Sequence, residues 1–172
     1  RRTFYVSNAS GDDANDGLTP ATPKRTIQAI IDRYTLQGGN TVFIDAGRYE
    51  GSSLITLDYR DKGTSGVPIE FRGALGSNGE PLTELVGTRA EAPVVLVFSG
   101  SRGVKLRNLS LRRGECGVRA DGTWYRLDRI IGSALILQTV QLQDASQWGC
   151  RIEYLGDCLL RNCIVTGTGV GL

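Results

Sequence analysis

The 172-residue chain has no histidine and no methionine, and of its 20 basic residues only Lys24, Lys62 and Lys105 are lysines. The missing histidine excludes His-based catalytic triads and His-ligated metal sites. No apolar run approaches the roughly 20 residues that cross a bilayer. Because 18 acidic residues nearly balance the basic ones, the net charge of +2 favours neither nucleic acid nor an anionic membrane as a partner. The missing methionine leads us to expect a processed or excised chain.

Residues 1–40 predict a short strand, a loop and one helix. Residues 3–7 alternate as in a strand. Thr26 is a suitable N-cap and apolar residues follow at helical spacing, so we predict a helix over 26–36, ended by the glycines at 38–39. The rest of the chain consists of short predicted strands between polar turns, which is typical of an all-β sandwich, barrel or solenoid.

An internal repeat favours the solenoid among these architectures. Three segments align with their apolar positions superposed: 104–111, 135–142 and 158–165. The alternation breaks once in each copy, at Asn108, Thr139 and Asn162, and we interpret the break as a corner that needs a left-handed backbone. A coil of about 23 residues, the spacing from Leu137 to Leu160, cannot bury its apolar face alone and must stack on the next coil.

Several segments of the chain resemble a known family. They read FYVSNASGDDANDGLTPATPKRTIQAIID, GGNTVFIDAGRYEG, GTSGVPIEFRGALG and VKLRNLSLRRGECGVRADG. Together they resemble the right-handed parallel β-helix proteins of the pectin-lyase-like superfamily, and the third resembles the chondroitinase B and alginate lyase group. The resemblance implies an all-β, right-handed parallel β-helix with an N-terminal capping α-helix. It covers one domain, 1–172, with the cap in 1–40 and coils in 41–172.

The C-terminal segment 166–172 matches the beginning of another strand and shows no capping pattern. Solenoids end in a polar or helical cap because a terminal coil exposes backbone groups and apolar side chains. We therefore expect the chain to be the N-terminal part of a longer solenoid, or its open end to be covered by another subunit.

The strand after each corner carries the main candidate site. Alternation places Arg119 and Arg151 outward, one above the other, with Asp121 and Glu153 stacked two residues further on. One interpretation is a surface ion-pair ladder, which contributes little to stability. The other is a site for an acidic sugar. There Arg119 and Arg151 are the catalytic residues and grip the uronate carboxylate, while Asp121 and Glu153 hold Ca²⁺ against it. In lyases of the family the base is commonly Lys or Arg, but Lys105 is predicted on a different strand.

Aromatic residues flank this predicted strand pair. Trp124 and Tyr125 lie in an insertion at 121–133, and Trp148 lies in the turn before Arg151. They suit stacking on sugar faces as substrate-binding residues. The alternative is that Trp124 and Tyr125 pack over an open edge of the coil.

The loop at residues 12–16 is an alternative cation site. Its oxygen-bearing side chains are Asp12, Asp13, Asn15 and Asp16. Such side chains suit Ca²⁺, but they also stabilise turns by bonding to their own backbone. Both interpretations are kept, and the resemblance favours the structural one because it places the loop at the cap.

The cysteines show no CxxC spacing, which argues against a zinc site. The repeat places Cys150, Cys158 and Cys163 inward, so we predict buried, reduced thiols there, and it leaves Cys116 in a turn.

Taken together, the resemblance and the residues predict a secreted or periplasmic protein that binds an acidic polysaccharide and cleaves it by β-elimination if the catalytic set is complete. The expected cofactor is Ca²⁺ or none, and neither nucleic acid nor membrane is expected as a partner. The alternative is a non-catalytic β-helix module that serves as an adhesin, tailspike or structural scaffold. The absence of a base lysine, a paired-Asp motif and histidine argues for this alternative or for a catalytic centre beyond residue 172.

Overall fold

The computed structural model describes residues 1–97, 103–121, 134–153 and 157–167. Strand makes up 49% of the structure, the sheets are parallel, and among the described residues one helix is present and no barrel closes. The elements in chain order are β1 Thr3–Val6, α1 Ile27–Arg33, β2 Thr41–Ile44, β3 Gly47–Gly51, β4 Ile55–Leu57, β5 Ile69–Gly73, β6 Thr83–Gly87, β7 Val95–Val97, β8 Val104–Arg113, β9 Cys116–Asp121, β10 Ala134–Gln143, β11 Trp148–Glu153, β12 Asp157–Arg161 and β13 Ile164–Thr166.

The described strands form three parallel ladders, which we call the first, second and third faces. The first face joins β1, β2, β5, the first halves of β8 and β10, and β12. The second face joins β3, β6, the second halves of β8 and β10, and β13. The third face joins β4, β7, β9 and β11. From β2 to β11, each pass of the chain therefore adds one strand to each face.

The register between strands confirms the predicted repeat. Leu137 lies beside Leu106 on one side and beside Leu160 on the other. Val140 pairs with Leu109 beyond the break in the alternation. The apolar positions that superpose in the sequence are therefore neighbours in the ladder, because each pass of the chain adds its strand beside the equivalent strand of the pass before.

The predicted corner is confirmed as well. Asn108, Thr139 and Asn162 all have positive φ angles, of 57°, 55° and 52°. Strand pairing continues through the corner, so both halves of the repeated segment 104–111 belong to the single strand β8. A side-chain amide tolerates this conformation well, whereas the branched Thr139 adopts it with backbone strain.

A second left-handed corner, which we did not predict, ends the second face. Arg113 and Asp144 have φ angles of 61° and 54°, and Gly167 follows at 62°. The register aligns these three positions, since Arg112 pairs with Gln143 and Gln143 with Thr166. Unlike the first corner, it has no common residue type, so the sequence pattern does not reveal it.

The core fills the space between the three faces. Phe71, Leu85 and Val95 come from the first, second and third faces of one pass of the chain, and each is completely buried. Fully burying one such side chain contributes about 1.5–3 kcal/mol. The core thus holds the faces at fixed positions relative to each other.

The helix packs over the N-terminal end of this core. Thr26 is its N-cap, as predicted, and accepts a hydrogen bond from the amide of Ala29. The predicted end at residue 36 is wrong: the helix ends at Arg33, because Tyr34 is extended, its ring lies 4.8 Å from that of Phe4, and its hydroxyl donates to the carbonyl of Asp16. In the part of the chain that is described, no helix is long and apolar enough to cross a membrane.

All four cysteines are free thiols, but their burial departs from the prediction. Cys150 is buried as predicted, and Cys116 is buried at the start of β9 rather than placed in a turn. Cys158 is exposed and Cys163 is only half-buried, so the prediction of burial is wrong for both. The reason is that Cys158 lies on β12, which pairs with a described strand only on its β10 side.

Candidate functional site

The two candidate arginines are neighbours on the third face. Arg119 of β9 pairs in register with Arg151 of β11, as predicted, and Asp121 pairs with Glu153 two residues further on. Val118 and Ala120 point inward and are fully buried, which turns the arginines outward. About a third of each arginine side chain is exposed, at 33% and 35%, so both are less open to solvent than we expected.

A carboxylate that the sequence reasoning missed lies between the two arginines. The Glu115 Oε2 atom is 3.6 Å from Nη1 of Arg119, and its Oε1 atom is 3.5 Å from Nη1 of Arg151. The Glu115 side chain is only 9% exposed, and Oε2 is buried without a hydrogen-bond partner. Glu115 therefore lies at ion-pair distance from both guanidinium groups.

Glu115 is held in place by its backbone. Its amide donates to the carbonyl of Ala92 at 2.9 Å, and its carbonyl accepts from the amides of Gln147 and Trp148. Glu115 lies in a bend just before β9, so the alternation of the strand does not assign its side chain to a face, and the sequence pattern offered no signal for it.

The thiols beneath this face are buried and protonated at neutral pH. The pKa of Cys116 is raised to about 12, mainly by burial and to a smaller extent by the negative charge of Glu115. Burial also raises the pKa of Cys150 to about 12. Because the thiolate is the reactive form, neither cysteine is suited to act as a nucleophile.

The other predicted site residues are only partly covered by the structure. Trp148 is half-buried and begins strand β11, so its predicted place in a turn is wrong: it pairs with Cys116. Trp124 and Tyr125 lie outside the described residues, and for Asp121 and Glu153 the backbone alone is described. No group of three or more potential metal-ligating side chains occurs in residues 1–97, 103–121, 134–153 and 157–167.

In the acidic loop near the N-terminus, the side chains bond to nearby chain segments. Asp12 accepts from the amide of Ala14, and Asp16 accepts from Leu18. Asp13 accepts from the amide and hydroxyl of Thr26, which ties the loop to the start of the helix.

The remaining members of the loop also form internal contacts. The Asn15 amide donates to the carbonyl of Pro23. The buried ammonium group of Lys24 donates a hydrogen bond to the carbonyl of Asp13, so a positively charged side chain already contacts the loop where a metal ion was considered.

A second row of charges crosses the second face. Arg48 contacts Glu50 at 2.6 Å and Glu84 at 2.9 Å. Arg112 contacts Glu84 at 2.9 Å and Asp144 at 2.8 Å. The carboxylates of Asp144 and Glu84 raise the pKa of Arg112 above its usual value. A cleft of about 370 Å³ lies beside this row.

Comparisons with known proteins relate the chain to carbohydrate-acting enzymes through structure alone. No protein-family model and no curated protein matches it. Two crystal structures of a GH136 lacto-N-biosidase from Eubacterium ramulus resemble this chain. The first is 20% identical with a TM-score of 0.53, and the match covers 95% of this chain and 27% of that one. The second is 18% identical with a TM-score of 0.51, and the match covers 97% of this chain and 41% of that one. A rhamnogalacturonan lyase is 14% identical, with a TM-score of 0.53, and the match covers 100% of this chain and 60% of that one. The chain thus spans less than two thirds of each, and at such low identity the likeness shows the fold alone.

Proposed function

We propose that this chain is part of a right-handed parallel β-helix that binds an acidic polysaccharide on its third face. The stacking of successive passes supports the architecture, because crossovers between parallel strands of one sheet are right-handed in nearly all proteins. The carbohydrate-acting structural neighbours support the ligand class. Export to an oxidising compartment stays a prediction from the resemblance.

The observation that carries the proposal is the in-register pair Arg119 and Arg151, which share the buried Glu115. Neighbouring parallel strands lie about 4.8 Å apart, so the two planar guanidinium groups form a short cationic strip. The guanidinium fork matches a carboxylate in geometry and stays charged at all relevant pH values. The Glu115 carboxylate lies 3.6 and 3.5 Å from the two guanidinium groups, and the exposed third of each arginine side chain is the surface proposed to meet a uronate carboxylate.

Cleavage by β-elimination is the finer part of the proposal. The proton on the carbon next to the carboxylate passes to a base, the bond to the leaving oxygen breaks, and that oxygen takes up a proton. Lys105 lies on the first face, and guanidinium groups that stay charged cannot accept the proton, so Arg119 and Arg151 bind and stabilise the carboxylate while the base comes from outside the described residues of the site. The backbone register brings Asp121 and Glu153 beside them, and Ca²⁺ held there would supply Lewis-acid stabilisation of the carboxylate.

The test measures binding of a short galacturonate oligomer by calorimetry. We expect the double variant Arg119→Gln/Arg151→Gln to bind at least about tenfold more weakly, because each lost charged hydrogen bond is worth about 1.5–3 kcal/mol. A neutral cello-oligosaccharide should bind weakly to both proteins. Loss of binding without loss of the folded state, followed by circular dichroism, would support the proposal.

The matched control is Arg112→Gln, which removes a half-exposed arginine from the second face. Binding that is unchanged in the double variant, or equally weakened in the control, contradicts the proposed site. Incubation with polygalacturonate, with Ca²⁺ or with chelator, tests cleavage through the absorbance of the unsaturated product. Binding without that absorbance identifies a non-catalytic binding module.

A further inference from the structure

A row of outward side chains on the first face is not part of the proposed site. Tyr5, Phe43, Arg72 and Arg107 occupy neighbouring register positions on β1, β2, β5 and β8. Since neighbouring strands are about 4.8 Å apart, a chain that crosses the strands meets an aromatic pair and then two arginines.

The aromatic end of the row borders a recess of about 230 Å³. Tyr5 and Phe43 line it, with ring centroids 6.3 Å apart and planes inclined by 60°. Ser7, Ser10 and the exposed Asp45 add polar groups to the same recess. Aromatic surface combined with a few hydroxyl and carboxylate groups suits one sugar ring. The carboxylate of Asp45 favours a neutral sugar there, because it repels an acidic one.

The other end of the row is basic and incompletely paired. The guanidinium carbon of Arg72 lies 5.9 Å from the ring centroid of Phe43, which orients this arginine beside the recess. Arg107 reaches Glu70 only at 3.8 Å, and its buried Nε and the Oε1 of Glu70 have no hydrogen-bond partner. Among the described side chains that point outward from the strands of this face, four are basic and one is acidic. The basic ones are Arg72, Lys105, Arg107 and Arg161, and the acidic one is Glu70.

We propose that the first face is a second carbohydrate-binding surface, specific for a polysaccharide in which neutral and acidic sugars alternate. The ligand class rests on the proposed function, but the surface and its residues are separate from it. A neutral sugar occupies the recess between Tyr5 and Phe43, and one of its hydroxyl groups donates a hydrogen bond to the carboxylate of Asp45. The next, acidic sugar places its carboxylate on Arg72, one strand further along, beside the neighbouring guanidinium group of Arg107.

The observations favour a polysaccharide over single-stranded nucleic acid. Non-specific binding of a nucleic acid strand uses successive aromatic platforms along a positively charged groove. Here the ring planes of Tyr5 and Phe43 are inclined by 60°, so the two rings offer one stacking platform rather than two successive ones. The whole chain also has a net charge of only +2.

The test is calorimetric titration with an alternating rhamnogalacturonan oligosaccharide. We expect two sites on the wild-type protein, and one site after either Phe43→Ala or Arg72→Gln. Tyr59→Ala and Arg60→Gln serve as matched controls, since both residues are exposed on a loop and should leave two sites. An all-acidic galacturonate oligomer should bind the first face several-fold more weakly than the alternating one.

Each outcome separates this inference from the proposed function. The double variant Arg119→Gln/Arg151→Gln should retain the first-face site, and a single wild-type site lost only in that variant overturns the inference. A single site lost only in Phe43→Ala and Arg72→Gln supports the inference and contradicts the third-face proposal. If Phe43→Ala does not fold, Arg72→Gln alone decides. Tighter binding of a single-stranded oligonucleotide than of the oligosaccharide, sensitive to Arg72→Gln, overturns the carbohydrate assignment.

Discussion

The second and third faces both carry outward arginines and carboxylates, but they hold them at different distances. On the second face, Arg48 and Arg112 contact Glu84 at 2.9 Å, and Arg112 also contacts Asp144 at 2.8 Å. These are ordinary charge-assisted hydrogen bonds between partly exposed groups, and they occupy the guanidinium groups with internal partners. Such a row stabilises its own strands slightly and offers little to a ligand.

On the third face the corresponding distances are longer and the carboxylate is deeper. Arg119 and Arg151 approach Glu115 only at 3.6 and 3.5 Å, and Glu115 is almost completely buried. A buried carboxylate strongly orients two nearby arginines, yet at these distances it forms ion pairs rather than short hydrogen bonds. The difference teaches that arginines on two faces of one solenoid-like stack can meet their carboxylates either in short, partly exposed contacts or in longer contacts to a single buried carboxylate.

The largest expected effect concerns the two thiols that lie beneath the third face. With pKa values near 12 in the folded protein against 9.0 as the ordinary value, Cys116 and Cys150 keep their protons when the unfolded chain loses them. Their stabilisation is therefore complete below pH 9 and is lost as the pH rises from 9 towards 12. We expect a slope of about 1.4 kcal/mol per pH unit for each thiol.

The measurement is urea unfolding across this alkaline range for the wild type and for Cys116→Ala/Cys150→Ala. The variant should be less stable at neutral pH because it loses packing, but its stability should fall less steeply above pH 9. Parallel pH profiles for the two proteins would show that the thiols are not protected by the third face.

A medium effect is expected when the shared carboxylate is neutralised. Glu115→Gln leaves Arg119 and Arg151 without their common counter-charge, and should lower the free energy of unfolding by about 1–3 kcal/mol. The same change should tighten binding of the galacturonate oligomer several-fold, because the ligand replaces the lost charge. Chemical denaturation and calorimetry measure the two quantities.

Glu84→Gln is the matched change on the second face and should leave oligomer binding unchanged. If Glu115→Gln weakens binding, or if Glu84→Gln alters it to the same extent, the contrast between the faces is wrong.

The smallest effect is expected for the row of ion pairs on the second face. Arg112→Gln should cost less than about 1 kcal/mol of stability after discounting for solvent screening, because the arginine is half-exposed. The difference from wild type should shrink further in molar salt, which screens exposed charges. Denaturation midpoints at low and high salt test this, and a cost that persists in high salt would indicate a packing role for Arg112.

The repeat and its corner could be predicted because they depend on short-range patterns. Alternating inward residues at 135–142 fix which side chains enter the core, and the stacking of successive passes places their equivalents one strand away. Asn108 and Asn162 signal the corner because few side chains tolerate a left-handed backbone. The outward pairing of Arg119 with Arg151 followed from the same alternation.

Burial of the thiols was harder to predict, because inward orientation does not ensure coverage. Cys150 and Cys158 both point inward in the repeat, yet Cys150 is buried and Cys158 exposed. Coverage depends on which neighbouring strands surround a position, and a local pattern contains no such information. The end of the helix was misplaced for a similar reason, since Tyr34 leaves it to contact Phe4 and Asp16.

By itself, then, the sequence determined the repeated segments, the inward residues, the first corner and the register of the arginine pair, all of which follow from local alternation and backbone conformational preference. Only the tertiary structure decided the partners across the faces. Arg48, Glu84, Arg112 and Asp144 come from separate passes of the chain, and Glu115 meets both arginines because its turn is hydrogen-bonded to Ala92 and Gln147. The physical reason is that loops of unequal length join the strands, so the side chains that meet outside the repeat are set by how the coils stack rather than by any sequence period.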